Sequence, residues 1–432
     1  MRGKGGVRRW AAAAAAVALA AGALTACGDG GGGAAGAKAS GKTGGAEAGS
    51  AGAGGAGDGA GKQPGRRSFD PPVQFGGDAV DLPGAGQPST ASGQALRPAV
   101  TLVDGVAYIG GQSGIMALDT RTGRSRWQAD TENEADRGGF GTKRMPPLVA
   151  ADGRTVYAAW NRRTAAEGTA PSRSVVEVMA VDTATGKKTW SAEIPADPSS
   201  TGLAARPIGA DENLAPQVVG VDAGTAIVTA ADTTYALDPA SGDLRWKRAD
   251  YRAVNLADGV VAGGERTGYQ QGRLLGLDAG TGKERWTVAD AREPANASPA
   301  LLSADRGENT IVVDAAGGKN RVLLEGHGWR CLHDARSLVA CSRDREPGSD
   351  HAIVVFEAAT FRQKWTLPDH SGRSVPRMTG FWHGALYGDL SGSPVVLDGV
   401  TGKDRETEPY LAPVEIDRYG GVEGTRYRPA TR

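Results

Sequence analysis

Three sets of residues in this chain are of types that could do chemistry. His327, Cys331, His333 and Cys341 lie close together and supply imidazole and thiol groups. Such groups hold zinc, but their spacing fits no standard zinc pattern. A second set is acidic: Asp119, Asp182, Asp238, Asp278, Glu357 and Asp398. Paired carboxylates could share acid and base work. These acids instead recur once per copy of a local pattern, which gives each one a place in a turn. The third set is basic: Arg126, Arg245, Arg285 and Lys364 each precede a tryptophan. They form either a positive ring or solvated strand-edge positions that discourage edge pairing, and the second reading is preferred. The chain has no nucleophile elbow, P-loop, H-E-x-x-H or EF-hand loop. No catalytic, cofactor-binding or metal-binding residue is assigned, and no cofactor is expected.

The pattern that carries the acids is clearest at Ala236–Trp246, ALDPASGDLRW. It recurs as ALDTRTGRSRW from Ala117, AVDTATGKKTW from Ala180 and GLDAGTGKERW from Gly276. VFEAATFRQKW from Val355 keeps the tryptophan, VLDGVTGKDRE from Val396 keeps the turn, and VVDAAGGKNRV from Val312 is a weak copy. The first limb is short and apolar, as a strand should be. The acid can accept a backbone N–H two residues on. Gly123, Gly186, Gly242, Gly282 and Gly402, four residues after their acids, supply the positive φ that such a hairpin needs. Trp127, Trp190, Trp246, Trp286 and Trp365 fall eight residues after the acid. A constant offset puts the five rings at equivalent positions, each on an outermost strand between one unit and the next. If well buried, each ring contributes roughly 3–5 kcal/mol.

With Asp314 of the weak copy counted, the acids are spaced by 36 to 63 residues. That step fits four-stranded propeller blades with loop insertions, and no 3.6-residue period argues for helices. The A-x-D-x-x-T-G-K-x-x-W pattern resembles the pyrroloquinoline quinone (PQQ)-like β-propeller repeat and its tryptophan-docking motif. The expected fold is all-β: a propeller of four-stranded antiparallel blades spanning residues 98–427, seven in number, or eight if the termini complete one more. Residues 68–97 are an irregular lead-in or closing segment.

The N-terminus reads as an export signal. Arg2, Lys4, Arg8 and Arg9 precede an apolar run, and Leu24-Thr-Ala-Cys27 resembles a lipobox. Residues 1–26 are therefore a lipoprotein signal peptide, and Cys27 is the expected site of lipidation. Residues 27–67, almost all small or polar, form a disordered tether. In an exported protein Cys331 and Cys341, which flank a short turn, read as a disulfide across a hairpin. The 49 basic and 49 acidic residues balance, so no nucleic-acid partner is expected.

The resemblance implies two branches. Quinoprotein dehydrogenases of this family carry a vicinal cysteine ring, Ca²⁺ ligands and an aspartate base, and this chain has no adjacent cysteine pair. The other branch holds outer-membrane assembly lipoproteins and actinobacterial surface propellers. The reading is a non-catalytic, monomeric lipoprotein on the outer face of the cell membrane that binds a protein or cell-wall partner. The alternatives are a PQQ-dependent oxidoreductase and a polysaccharide-binding module, the latter drawing on Trp160, Trp329 and Trp382. Cys27→Ser should release the protein into the medium, as measured by blotting cell and medium fractions. Full retention on the cell would refute the anchor.

Overall fold

The Asp104-Gly105 pair shows how this sequence makes sheet. Both residues have positive φ, 46° and 81°, the combination a two-residue hairpin turn demands. Val100–Val103 and Val106–Gly110 are thereby set in register, with Val103 opposite Val106. In the computed structural model, residues 67–86, 97–135, 144–196, 215–268, 271–343 and 351–432 are described. The signal peptide and almost all of the tether lie outside them. The described residues hold strands and turns and no helix.

The strands form eight sheets of essentially one plan. Seven follow chain order from first to fourth strand, at residues 100–130, 134–195, 217–248, 251–288, 292–324, 330–367 and 377–406. They are numbered blades 1 to 7. Blade 2 carries an extra two-residue strand, Glu134–Ala135, on Thr155–Arg163. Blade 8 is built from two distant parts of the chain: Glu415–Asp417, Gly420–Glu423 and Arg426–Pro429, with Val80–Asp81 added as the outermost strand. The expectation of seven blades is thus corrected to eight. Residues 415–429 supply three strands of the added blade, and the lead-in supplies its fourth. The first strands of successive blades lie within 8 Å of each other all the way round, from Val100–Val103 back to Glu415–Asp417. Radial closure of this kind leaves each sheet only short, protected edges.

The core lies between blades. Val156, Tyr108 and Met179 pack in one seam, Tyr157, Val228 and Tyr235 in the next. Five seams use the docking tryptophans. Each indole N–H donates to the carbonyl of the residue after the acid in the following blade. The pairs are Trp127 to Thr183 at 2.8 Å, Trp190 to Pro239 at 2.9 Å, Trp246 to Ala279 at 2.8 Å, Trp286 to Ala315 at 3.2 Å and Trp365 to Gly399 at 2.9 Å. Each ring also lies on the turn glycine of that blade. A Cβ at Gly186 would sit 2.5 Å from Trp127, and one at Gly242 would sit 2.6 Å from Trp190. The rings are half-buried rather than buried, so the full 3–5 kcal/mol expected for a core ring is an upper bound.

The three remaining seams solve the same problem differently. In blade 5 the docking register is held by Val322, opposite Val312. Blade 6 then puts Phe361, at φ 58°, where the other turns have glycine. Val322 and Phe361 pack in one apolar cluster, so the ring has moved from one side of the seam to the other. In blade 7 the register falls to Glu406, opposite Val396, which pairs with Arg432 near the end of the chain. In the last seam Val80 approaches Gly123.

This exchange is testable by a double-mutant cycle. Val322→Trp alone should clash with Phe361, and Phe361→Gly alone should leave a gap. Together they should recover most of the lost stability, with a coupling of about 1–3 kcal/mol in denaturant unfolding. Strict additivity of the two losses would refute the exchange.

Candidate functional site

The turn acids behave as structural residues. Asp119 Oδ1 accepts the N–H of Arg121 at 2.9 Å and of Thr122 at 3.1 Å. Asp182, Asp278 and Asp398 each accept both the N–H and the hydroxyl of the threonine three residues on. Hydrogen bonds from Thr281 and Arg285 hold Asp278 below the ordinary carboxylate range, and the Arg245 contact leads in doing the same for Asp238. The glycines take their expected geometry, with φ of 70° at Gly123, 73° at Gly186, 79° at Gly242, 70° at Gly282 and 70° at Gly402. Glu357 keeps the role, accepting the Thr360 hydroxyl. One acid per blade leaves no pair close enough to share a proton.

The basic residues before the tryptophans form no positive ring. Arg126, Arg245 and Arg285 pair with Asp119, Asp238 and Asp278 of their own turns, and Lys364 lies 4.0 Å from Glu357. These exposed pairs neutralise the turns and contribute little to stability.

Cys331 and Cys341 stand directly opposite each other on the first two strands of blade 6 and are joined as a disulfide. His327 and His333 do not join them in a metal site, and no group of three or more metal-ligating side chains occurs among the described residues. Burial pushes the His333 imidazole below its ordinary pKa. The tryptophans outside the docking series are not exposed platforms. Trp160 is buried and donates to Gly111. Trp329 donates to Glu325 beneath the Arg343 guanidinium. Trp382 stacks on the His383 ring at 3.6 Å.

What distinguishes one part of the ring from another is its two rims. First-to-second and third-to-fourth connections meet at one rim, and none exceeds six residues. Second-to-third and fourth-to-first connections meet at the other rim. Every connection longer than six residues is there, including 164–173, 368–376 and 407–414. Residues 69–72 of the lead-in cross the short-turn rim. Phe69 N–H donates to Arg418, Tyr387 Oη donates to Pro72, and Asp70 pairs with Arg336 and His383. Burial acts to raise the Asp70 pKa, but the His383 and Arg336 contacts outweigh it and hold the carboxyl low.

Two features open on the long-connection rim. An open pocket of about 510 Å³ is lined by Leu82, Pro83, Gln112, Arg144 and Thr425. Arg144 is buried and bonds Gly86 at its wall. The second feature is the ring axis, surrounded by the first strands. Glu415, on the first strand of blade 8, is half-buried. Burial pushes its pKa up to about 7 against the pull of Arg97, whose guanidinium donates to the Thr379 carbonyl of blade 7. Sequence reasoning missed Glu415, because nothing in its local sequence marks it as axial.

Parts of this chain are similar to known proteins. Residues 173–328 match the family described as outer membrane protein assembly factor BamB. Serine/threonine-protein kinase AfsK of Streptomyces griseus is 30% identical over 161 residues, which are 37% of this chain and 16% of the kinase. The chain therefore spans about a sixth of that relative's length. Among solved structures, BamB from Moraxella catarrhalis superposes with a TM-score of 0.43 at 17% identity, over 76% of this chain and 89% of that one. Quinohemoprotein alcohol dehydrogenase from Comamonas testosteroni gives 0.47 at 13% identity, over 82% and 72%.

The Glu415 carboxyl gives a signed prediction. Its folded pKa, about 7, lies above the ordinary 4.5, so the folded state holds the proton more tightly. The stabilisation is complete below the unfolded pKa and falls away as pH rises from about 4.5 to 7. Thermal melts of Glu415→Gln should lose that part of the pH dependence. An unchanged profile would place the titration elsewhere.

Proposed function

We propose that this chain, whose repeats belong to the PQQ-like β-propeller family, is a non-catalytic binding and scaffold module. It is held by lipid at Cys27 on the outer face of the cell membrane and works as a monomer on a protein or cell-envelope ligand. Residues 1–26 are then the signal peptide, 27–67 the tether and 68–432 the head.

The observation that carries this reading is the asymmetry of the rims. A ring with closed seams is rigid, and loops on a rigid scaffold are where recognition concentrates. All the long connections of this ring gather on one rim, whereas the opposite rim carries only short turns and residues 69–72 of the lead-in. The matched family's description, an outer membrane protein assembly factor, supports a scaffold role. The carboxylates that recur in the sequence are committed to turns, which leaves them unavailable for the base of a quinoprotein.

Cross-linking in intact cells should capture a partner. Capture should be lost when residues 164–173 are cut back to a two-residue turn, and kept in Arg121→Ala on the opposite rim. Loss in both variants or in neither would contradict the reading, as would quinone-dependent dye reduction after addition of PQQ and Ca²⁺.

A further inference from the structure

Arg252, Arg292, Arg330 and Arg377 lie on the first strands of blades 4, 5, 6 and 7. Their partners on the second strands are Gly264, Asp305, Ser342 and Asp389. The second strands are aligned by the residue paired with each turn acid: Val260 with Asp278, Leu301 with Asp314, Leu338 with Glu357 and Ala385 with Asp398. Counted from there, each partner is four residues along. Directly opposed residues share a face of the sheet, so the four arginines occupy one equivalent position on four successive blades. That position is at the axial end of the long-connection rim. The same position is Ala99 in blade 1 and Gln217 in blade 3, so the arc covers only one side of the mouth.

Arg330 and Arg377 are exposed, and Arg252 and Arg292 are half-buried. Nearby acids only partly offset them. Asp305 directs its carboxylate to the Thr310 hydroxyl and Gly328 N–H. Asp389 accepts the Gly392 N–H. Glu423 lies near Arg377, Arg428 and Asp389. Arg97 adds a further guanidinium where it reaches Thr379. Glu415 lies two residues deeper along the blade, where burial pushes its pKa up. Guanidinium groups gathered on one side of the mouth raise the local positive potential there.

We propose that this arc binds a linear phosphate-bearing polyanion across blades 4 to 7. The guanidinium fork matches phosphate oxygens in two-point contact. Arginines repeated once per blade suit a chain with repeated charge better than a single ion. The proposal rests on the binding-platform reading above and names a ligand for it.

Inorganic polyphosphate of defined chain length is the probe, with the protein at several salt concentrations. Four phosphate contacts predict that log affinity falls against log salt with a slope of about 3. The triple variant Arg292→Ala, Arg330→Ala and Arg377→Ala should bind at least about 30-fold more weakly at 0.1 M salt, with a slope of about 1 or less. Arg126→Ala with Arg245→Ala, whose partners are the turn acids of the other rim, should leave binding unchanged. Thermal melts identify any variant that fails to fold, and the single variant Arg330→Ala, at an exposed site, then carries the test with a smaller loss. Orthophosphate should not compete at equal phosphate concentration, and phosphatidylglycerol vesicles should retain less protein than the polymer. Absence of polyphosphate binding, binding that survives the triple variant, or tighter retention on vesicles would each overturn the arc. Failure here with intact loop-dependent partner capture would leave the platform standing; the reverse result would remove the protein partner and keep the arc.

Discussion

Everything else in this ring depends on one contact: an indole that crosses from one blade to the next. Its N–H needs an acceptor, and the carbonyl after the turn acid supplies it. Its ring needs a flat floor, and the turn glycine, with no Cβ and a positive φ, supplies that. The two demands meet at residues three apart in the neighbouring blade, so the angle between blades is fixed as well as their contact. Hydrogen bond and packing reinforce each other here, because an indole lifted off the glycine also loses its acceptor. A half-buried ring can therefore set blade geometry without the apolar burial of a core tryptophan.

The seams without a tryptophan show that seam volume and polarity matter more than residue type. Moving the ring from Val322 to Phe361 keeps an aromatic in the seam but places a bulky residue at positive φ, which costs about 1–2 kcal/mol in local strain. The Arg321 guanidinium over Phe361, with its bond to Ala359, fastens the substitute in place. At Glu406 the interface is ionic and uses the last residue of the chain. The departures cluster toward the closure: one in blade 5, one in blade 7 and one in the last seam, where the lead-in strand meets blade 1.

The repeat made most of this legible. Asp, Gly and Trp at offsets of zero, four and eight describe a turn, a floor and a ring, and all three are local in sequence. The eighth blade was not legible for the opposite reason. Its fourth strand is the two-residue Val80–Asp81, far from Arg426–Pro429 in sequence. Its third-to-fourth connection does not exist, so no acidic turn announces it. The arginine arc is hidden in another way. Arg252 precedes its turn acid by 26 residues and Arg377 by 21, although both occupy one register. Bulges in the first strands and unequal connections scramble the sequence interval while the pairing preserves the position. The disulfide was legible because strand, turn and strand are contiguous there.

The two rims follow from this economy of contacts. The short-turn rim holds the acids, the glycines and the acceptors for the indoles, so an insertion there would break a seam. The other rim contributes none of these groups, and a blade tolerates ten residues at 164–173 without losing its register. Loop-closure entropy grows only slowly with length, so long connections at that rim destabilise the ring little. Structural demand and freedom to vary are thus sorted onto opposite sides of one scaffold. The same sorting explains the charges. Arginines on the constrained rim are held by the acids of their own turns, whereas Arg292 and Arg330 at the axial mouth sit opposite a carboxylate already engaged and a serine.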